Sequence, residues 1–171
     1  LQFLKLGDSA RTRTGLYPLV KDETDALVEA VGERAQVMVE ERGRGIYIYQ
    51  AKADQGIQTD SHIGMVVNLN ATAVGKAYLA HLDEDERQRA LDAMPFLEQT
   101  PNTRTDREQL LAEFDEIRER GYAFNDEERT MGMRAVGAPI VANDGADVVG
   151  AISVSGPTTR MTGDWYHEEV P

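Results

Sequence analysis

Cysteine is absent from this sequence of 171 residues, and histidine occurs only three times. Without cysteine the chain has no disulfide bond, no thiolate nucleophile and no zinc–thiolate site. His62, His81 and His167 are far apart and follow no metal-ligand spacing, so no metal site is expected. No apolar run approaches the ~20 residues that a membrane helix needs, and no secretory leader is visible. A soluble cytoplasmic protein without membrane contact is the expectation.

Basic residues are also few: the chain has 18 lysines and arginines and 30 aspartates and glutamates, which gives a net charge of −12. Such a surface repels phosphate backbones and anionic lipids, so this segment is not expected to grip DNA or a membrane. Hydrophobic residues still make up 41% of the chain and recur periodically between the charges. This pattern and the length predict one folded domain with a single core.

Sequence motifs for catalysis or nucleotide binding are incomplete. Gly75-Lys76 is not a phosphate-binding loop, since Asn70 stands where that motif has glycine and Ala77 where it has serine or threonine. The carboxylates of residues 126–128 are consecutive and would point apart in a solvated loop, rather than across a substrate. No Gly-x-Ser-x-Gly elbow is present. We therefore expect neither an enzyme nor a bound cofactor.

Helical spacing and capping signals predict helices in the first part and the middle of the chain. The predicted helices cover residues 18 to about 31, 72–82, 83 onward and 105–121, the second capped by Asn70 or Thr72. The buried stripe of the first would comprise Leu19, Leu27 and Val31, and that of the last Leu110, Phe114 and Ile117. Thr105 and Glu108 have the spacing of a capping box with Thr105 as N-cap.

Alternating apolar residues predict strands over 35–41 and 46–50, joined by a turn at 43–45, with a shorter strand near 57–61. A second pair, 135–141 and 148–155, flanks the turn sequence 143–145, whose Asn, Asp and Gly tolerate positive φ. The order of helices and strands predicts an antiparallel sheet covered by helices, an α/β (α+β) fold.

The last predicted strand has two chemically different faces, since residues two apart on a strand share a face. One face is small and partly hydroxylated and comprises Val149, Ala151, Ser153 and Ser155. The other is apolar, as a core-facing side should be, and comprises Val148, Ile152 and Val154. The serines either face water or reach into a hollow, and this segment alone leaves both interpretations open. No His and Asp are arranged to activate either serine, so ligand binding is favoured over nucleophilic catalysis.

The start of the helix at Thr72 is a candidate second wall for such a hollow. Free backbone N–H groups at a helix N-terminus favour anions. Ala71, Ala73 and Gly75 are small, which either lets a ligand approach the backbone or merely allows tight helix packing.

Three stretches, 69–80, 118–128 and 131–157, resemble the ligand-binding domain of the IclR family of transcription regulators. The first contains Ala73-Val74-Gly75-Lys76-Ala77, the second Gly121-Tyr122, and the third Ser153-Val154-Ser155-Gly156-Pro157. Their order and spacing agree with the family from about Pro18 to Arg160. The resemblance implies a GAF-like antiparallel sheet flanked by helices, which together enclose an effector pocket.

The resemblance also implies a winged helix-turn-helix before this segment. Residues 1–15 would then be the end of a linker from that DNA-binding part, and residues 16–171 the effector-binding domain with its C-terminal helix cut short. DNA would be contacted only through the absent part. The family implies a homodimer or homotetramer, to which the apolar Phe3-Leu4 and Leu6 would contribute.

Family members typically respond to small carboxylic or aromatic acids. Carried over by position, the pocket would use backbone at Ala73 and Val74, apolar contacts from Val67 and Met133, and polar contacts from Asn125, Ser153 and Ser155, with Ala135 beside them. Many family members have Leu-Pro-Leu-His at the positions of residues 67–70, where this chain has Val-Asn-Leu-Asn. Asn125 stands where Asp is common in the family, and Ala135 where Cys is common. Loss of the aspartate charge should make an anionic effector easier to hold.

The expected function is therefore an effector sensor that shifts the population of an attached DNA-binding part. An enzyme on a similar scaffold is disfavoured, because the GAF-type sulfoxide reductase uses cysteine and a hydrolase would need a triad. A stand-alone GAF-like sensor or dimerisation module without a DNA-binding partner is the alternative. The coding sequence upstream of Leu1 distinguishes these possibilities.

Overall fold

Six antiparallel strands organise the computed structural model, which describes Gly7, Ser9, Thr12 and residues 15–56, 59–142 and 147–170, with only the backbone for Glu169. The strands are β1 (Arg34–Glu41), β2 (Arg44–Lys52), β3 (Val66–Val67), β4 (Ala123–Asp126), β5 (Met133–Val141) and β6 (Val148–Pro157). They lie in the order β3-β2-β1-β6-β5-β4. Within residues 15–170 the α-helices are α1 (Leu16–Val31), α2 (Ala73–His81), α3 (Glu84–Ala93) and α4 (Arg107–Arg120), and a short π-helix (Trp165–Glu169) follows β6. The expected antiparallel sheet flanked by helices is confirmed.

Both faces of this sheet are covered. On one face α1 packs over β1 and β2, with Leu16 and Val20 against Val37 and Ile48. On the other face α2 and α4 form the larger core, in which Leu110, Phe114 and Ile117 are fully buried, as predicted. The sheet is therefore the middle layer of three, and each inner strand contributes side chains to two separate cores.

The buried stripe of α1 differs from the predicted one. The helix begins at Leu16, after Gly15 in a left-handed conformation, and buries Leu16, Val20, Thr24 and Val28. Leu19, expected in the core, is 74% exposed. Position 19 lies about 100° around the helix from Val20, which faces the sheet, so Leu19 is left outside the buried stripe. Leu27 and Val31 are partly buried against the core that contains Val28.

Side-chain caps begin the next three helices. Thr72 accepts a hydrogen bond from the Gly75 amide at 3.2 Å, and Asp83 accepts one from the Glu86 amide at 2.7 Å. The predicted Thr105 cap is wrong by one residue, because Asp106 accepts the amide of Gln109 at 2.9 Å. A carboxylate at the N-cap also interacts favourably with the helix dipole, which favours the later start.

Two strand predictions need correction. The third strand is Val66–Val67 rather than a segment near 57–61; residues 59–61 are not in a strand, and Ile57 and Gln58 lie outside the described residues. The first hairpin turns at Arg42-Gly43, so that β2 already begins at Arg44. Residues 143–145, the predicted second turn, also lie outside the described residues, but β5 and β6 pair antiparallel as expected.

A β-bulge near the start of β6 reverses the side of the sheet to which the first side chains of the strand point, relative to the predicted alternation. Ile140 pairs with Gly150 and Val141 with Val148, which leaves Val149 as an extra residue. Val148 consequently packs against the α2 core instead of sharing a face with Ile152 and Val154. Beyond the bulge the predicted alternation holds: Val154 packs with the core beside α1, and Ala151 lies in the core under α2.

Candidate functional site

A cavity of about 540 Å³, including its open mouth, lies between the sheet and the N-terminus of α2. Its floor contains one row of residues that face one another across neighbouring strands. Arg34 on β1 is in register with Ser155 on β6, Ser155 with Ala135 on β5, and Ala135 with Asn125 on β4. The antiparallel register thus places residues from four separate segments side by side.

The roof of the cavity is the N-terminus of α2, and two glycines allow it to pack closely, one against the floor and one against the turn that precedes the helix. A Cβ on Gly137 would lie 2.7 Å from the carbonyl carbon of Ala73, so the first turn of α2 rests directly on β5. A Cβ on Gly75 would lie 2.3 Å from the carbonyl oxygen of Leu69, in the 3-10 turn Leu69–Ala71 that leads into the helix. Neither contact leaves space for a methyl group.

The amides of Ala73 and Val74 have no acceptor in the described part of the chain. The first N–H groups of a helix lack intrahelical partners. Thr72 satisfies only the amide of Gly75, and the amide of Lys76 donates to the Thr72 carbonyl. The two free amides therefore present the positive end of α2 to the cavity.

Ser153 and Ser155 both line the cavity, and Ser153 is only 5% exposed. Neither hydroxyl is hydrogen-bonded within the described residues. The structure thus favours the hollow over the alternative in which both serines face bulk water. No histidine is among the lining residues, so nothing described here would activate either hydroxyl as a nucleophile.

Asn125 has a second, structural task. Its side-chain amide donates to the carbonyl of Ala71 at 2.6 Å, and its side-chain oxygen accepts from the amide of Glu128 at 3.3 Å. Its own carbonyl accepts from the hydroxyl of Tyr166. This residue ties β4 to the turn before α2, which fixes the height of the roof.

Seven of the predicted site residues line this cavity: Ala73, Val74, Asn125, Met133, Ala135, Ser153 and Ser155. Val67 does not. Val67 belongs to the edge strand β3, is in register with Gly45 of β2, and packs into the core under α2. The cavity lining therefore does not include Val67, which fills the core beside Gly45, and a contact between Val67 and an effector stays a prediction.

The sequence reasoning missed the polar far end of the cavity. Arg34, Gln36 and Tyr47 come from β1 and β2, and residues 59–61 and Arg129 complete the end. A signal was present, since Arg34 and Gln36 alternate with Ala35 and Val37 on a strand buried on both faces. Polar residues at alternate positions of a central strand indicate a polar cavity rather than solvent.

Arg34 is the most unusual of these residues. It is 3% exposed and donates hydrogen bonds to the Thr59 hydroxyl, the Gln50 side chain and the Ser61 carbonyl. Among the described residues no carboxylate lies within ion-pair distance of its guanidinium. Burial is the main cause that lowers the pKa of Arg34, because removal from water disfavours the charged guanidinium.

A buried ion cluster lies beside the site. The ammonium group of Lys76, which has no exposed surface, is 2.6 Å from carboxylates of both Glu113 and Glu128. Residues 126–128, expected to be a solvated loop, therefore include a buried carboxylate in Glu128. The pKa of Glu128 is raised, mainly by burial and further by the nearby Glu113 carboxylate, although the Lys76 ammonium lowers it. The paired Lys76 is not free to bind a phosphate.

The described residues contain no group of three or more His, Asp or Glu side chains that could hold a metal ion. None of the described helices has the length and apolar character needed to cross a membrane.

Comparisons with known proteins give one consistent result. Residues 9–170 match the family described as bacterial transcriptional regulator IclR C-terminal. The chain is 33% identical to a probable HTH-type transcriptional regulator ArcR of Halobacterium salinarum, over 99% of this chain and 65% of that protein. It is 36% identical to the HTH-type transcriptional regulator BhcR of Paracoccus denitrificans, over 91% of this chain and 56% of that protein.

The crystal structure of IclR from Thermotoga maritima has the same fold, with a TM-score of 0.91 and 31% identity, over 99% of this chain and 68% of that one. The chain spans less than two thirds of the curated relatives named above. These relatives are named as transcriptional regulators, and none of the names is that of an enzyme.

Proposed function

Because this chain belongs to the IclR family of transcriptional regulators, we propose that its cavity binds a small carboxylic or aromatic acid as effector. Binding would alter how a winged helix-turn-helix on the same protein contacts DNA. The observation that carries this proposal is the pair of unsatisfied amides at Ala73 and Val74, which share the cavity with the unpaired hydroxyls of Ser153 and Ser155.

The chemistry of the cavity suits a carboxylate. A carboxylate accepts hydrogen bonds only, and both backbone amides and serine hydroxyls can donate to it. Bonds to a charged acceptor are stronger than neutral ones, each worth about 1.5–3 kcal/mol. Met133, which lines the cavity and is partly exposed, provides apolar surface that the rest of a small acid would contact.

Regulation needs only a modest difference in binding. An effector that prefers one arrangement of the domain shifts its population, and a tenfold change in DNA affinity corresponds to about 1.4 kcal/mol. Because α2 begins at the cavity and packs against β5 and α4, an effector seated on its amides acts directly on the core. The helix is the element through which occupancy would be transmitted.

Isothermal titration of the purified chain with acetate, butyrate, succinate and benzoate tests the effector site. We expect at least one acid to bind, and the double variant Ser153→Ala/Ser155→Ala to weaken that binding by about tenfold or more. The exposed Ser9→Ala is the matched control and should bind like wild type. Unchanged affinity in the double variant would show that the site is assigned wrongly.

The remaining parts of the proposal concern the whole protein. We propose that DNA is contacted only through a winged helix-turn-helix outside this chain, that the regulator works in the cytoplasm, and that it forms a homodimer or homotetramer. The coding sequence upstream of Leu1 tests the first part, since it should encode the winged helix. Sedimentation showing only monomer at high concentration and physiological salt would contradict the last.

A further inference from the structure

The cavity carries positive charge in a chain that is strongly negative overall. Three arginines and one aspartate are among its lining residues, whereas the whole chain has a net charge of −12. Arg134 is neutralised by Asp126, whose carboxylate is 2.7 Å away. Within the described residues Arg34 and Arg129 have no comparable partner, since the Asp60 carboxylate lies 3.9 Å from Arg129 and is largely exposed.

The guanidinium groups of Arg34 and Arg129 both contact Ser61: Arg34 donates to its carbonyl oxygen at 3.4 Å and Arg129 to its hydroxyl at 3.0 Å. Each lowers the pKa of the buried Tyr47 hydroxyl, although burial raises that pKa more, and Arg129 also lowers the pKa of Arg34. Arg129 is held in place by the Ser61 hydroxyl at 3.0 Å. Two like charges next to each other in a buried site repel, and a buried cation without an anion is costly. An anion in the cavity would remove both penalties.

This cationic end is separate from the amide end. Ala73 rests on β5 through Gly137, while Arg34 belongs to β1, with β6 between them. Neighbouring strands are spaced by about 4.8 Å, so the two ends are roughly 10 Å apart at the level of the sheet. A single small carboxylate cannot contact both ends.

We propose that the effector carries two anionic groups, as in a short dicarboxylate, with one group on the Ala73 and Val74 amides and the other between Arg34 and Arg129. This inference rests on the proposed function and adds the chemical class of the effector. Arg34 and Arg129 are the residues that determine this specificity, since they alone distinguish a dicarboxylate from a monocarboxylate of the same length.

Succinate and butyrate are the matched probes, because both have four carbons and differ in the second carboxylate. Isothermal titration of the purified chain at constant ionic strength should show succinate binding at least about tenfold tighter than butyrate. Glutarate and valerate repeat the comparison with one more methylene. In Arg34→Gln, and separately in Arg129→Gln, the preference should fall to about threefold or less while butyrate binding is retained.

The ratio between the two probes separates a charge effect from damage to the fold, since a distorted cavity weakens both acids. Arg44→Gln is the control for the change in net charge, because Arg44 is exposed on β2 and is not a lining residue of the cavity; it should keep the preference for succinate. If Arg34→Gln does not fold, as judged by circular dichroism, the Arg129→Gln variant provides the test, because Arg129 is partly exposed and its substitution is less disruptive.

Three results would overturn the inference. Equal affinity of wild type for the dicarboxylates and their matched monocarboxylates contradicts it and leaves the proposed function intact. A preference that survives in both arginine variants also contradicts it. Failure of all tested acids, including benzoate, to bind contradicts the proposed function itself.

Discussion

The side-chain amide of Asn125 donates a hydrogen bond to the carbonyl oxygen of Ala71 across 2.6 Å. This contact joins β4 to the turn that begins α2, and both partners are buried. An amide can donate here whereas an ionised carboxylate cannot. The residue thus serves the cavity in two ways: it lines the wall without adding negative charge, and it anchors the roof.

Asn125→Asp is expected to destabilise the fold at pH 7 by about 1–3 kcal/mol, because a carboxylate would face the Ala71 carbonyl without a proton between them. Burial and this carbonyl should raise the pKa of the new carboxyl above its ordinary value of about 3.9. The folded state then holds a proton that the unfolded state has released, so stability relative to wild type falls as pH rises through this range.

Urea denaturation of wild type and Asn125→Asp at pH 5 and pH 8 checks that sign. The difference in the free energy of unfolding should be larger at pH 8, since the protonated acid can donate to Ala71 at lower pH. A difference independent of pH would mean that the hydrogen bond to Ala71 does not decide the stability of the variant.

Gly137→Ala is expected to move the N-terminus of α2, because the added methyl group would lie 2.7–2.9 Å from backbone atoms of Ala73 and Val74. Such overpacking typically costs about 1–3 kcal/mol. The displaced atoms include the amide of Val74, so affinity for whichever acid binds wild type should also fall. Chemical denaturation and titration on the same preparation measure both effects.

Gly7→Ala is the control, because no described atom lies within 4 Å of a Cβ at that position. It should leave both stability and affinity unchanged. If Gly137→Ala bound acids as wild type does, the amides of α2 would not form part of the binding site.

Ala135→Leu should block the cavity with little effect on the core, because Ala135 lies on its floor between Ser155 and Asn125. A larger side chain there extends into empty space rather than into packed atoms. We expect loss of acid binding by titration, with a melting temperature close to that of wild type. Ala135→Ser, which adds a single oxygen atom, is the matched small change and should keep binding.

The sequence alone could place much of the site but not its cationic end. Ser153, Ser155 and the start of α2 carried local signals: strand alternation, small residues and a helix cap. The alternation of Arg34 and Gln36 with apolar residues indicates a polar face on β1, but the place of Arg34 in the cavity follows from the register of β1 against β6. Register between strands so far apart in sequence depends on tertiary packing, which local patterns do not contain.

The same limit explains the error at Leu19 and the position of Val67 outside the cavity lining. Helical spacing allowed Leu19, Leu27 and Val31 to share a stripe, and only packing against β1 and β2 selected Leu16 and Val20 instead. The family resemblance places Val67 at the pocket, whereas its pairing with Gly45 directs its side chain into the core. In both cases the residue type was compatible with two environments.

The last prediction concerns Lys76 and Glu128, because substitutions at these two residues of one buried cluster should differ strongly in their effect on the free energy of unfolding. Lys76→Met removes the cation between Glu113 and Glu128 and leaves two buried carboxylates facing each other, which should cost about 3–5 kcal/mol. Glu128→Gln keeps an acceptor for Lys76 and leaves one carboxylate for one ammonium. It should stay within about 1 kcal/mol of wild type at pH 7.

The pH dependence follows from the raised pKa of Glu128, whose main cause is burial. The folded chain retains the Glu128 proton at pH values where the unfolded chain has released it, so ionisation of Glu128 lowers stability as pH rises above the ordinary glutamate range. Glu128→Gln abolishes this loss. Its stability relative to wild type should therefore increase from pH 4 to pH 8 in urea denaturation. A relative stability that instead decreases with pH would mean that the ionised Glu128 is net stabilising, and that the Lys76 ammonium outweighs the burial of the carboxylate.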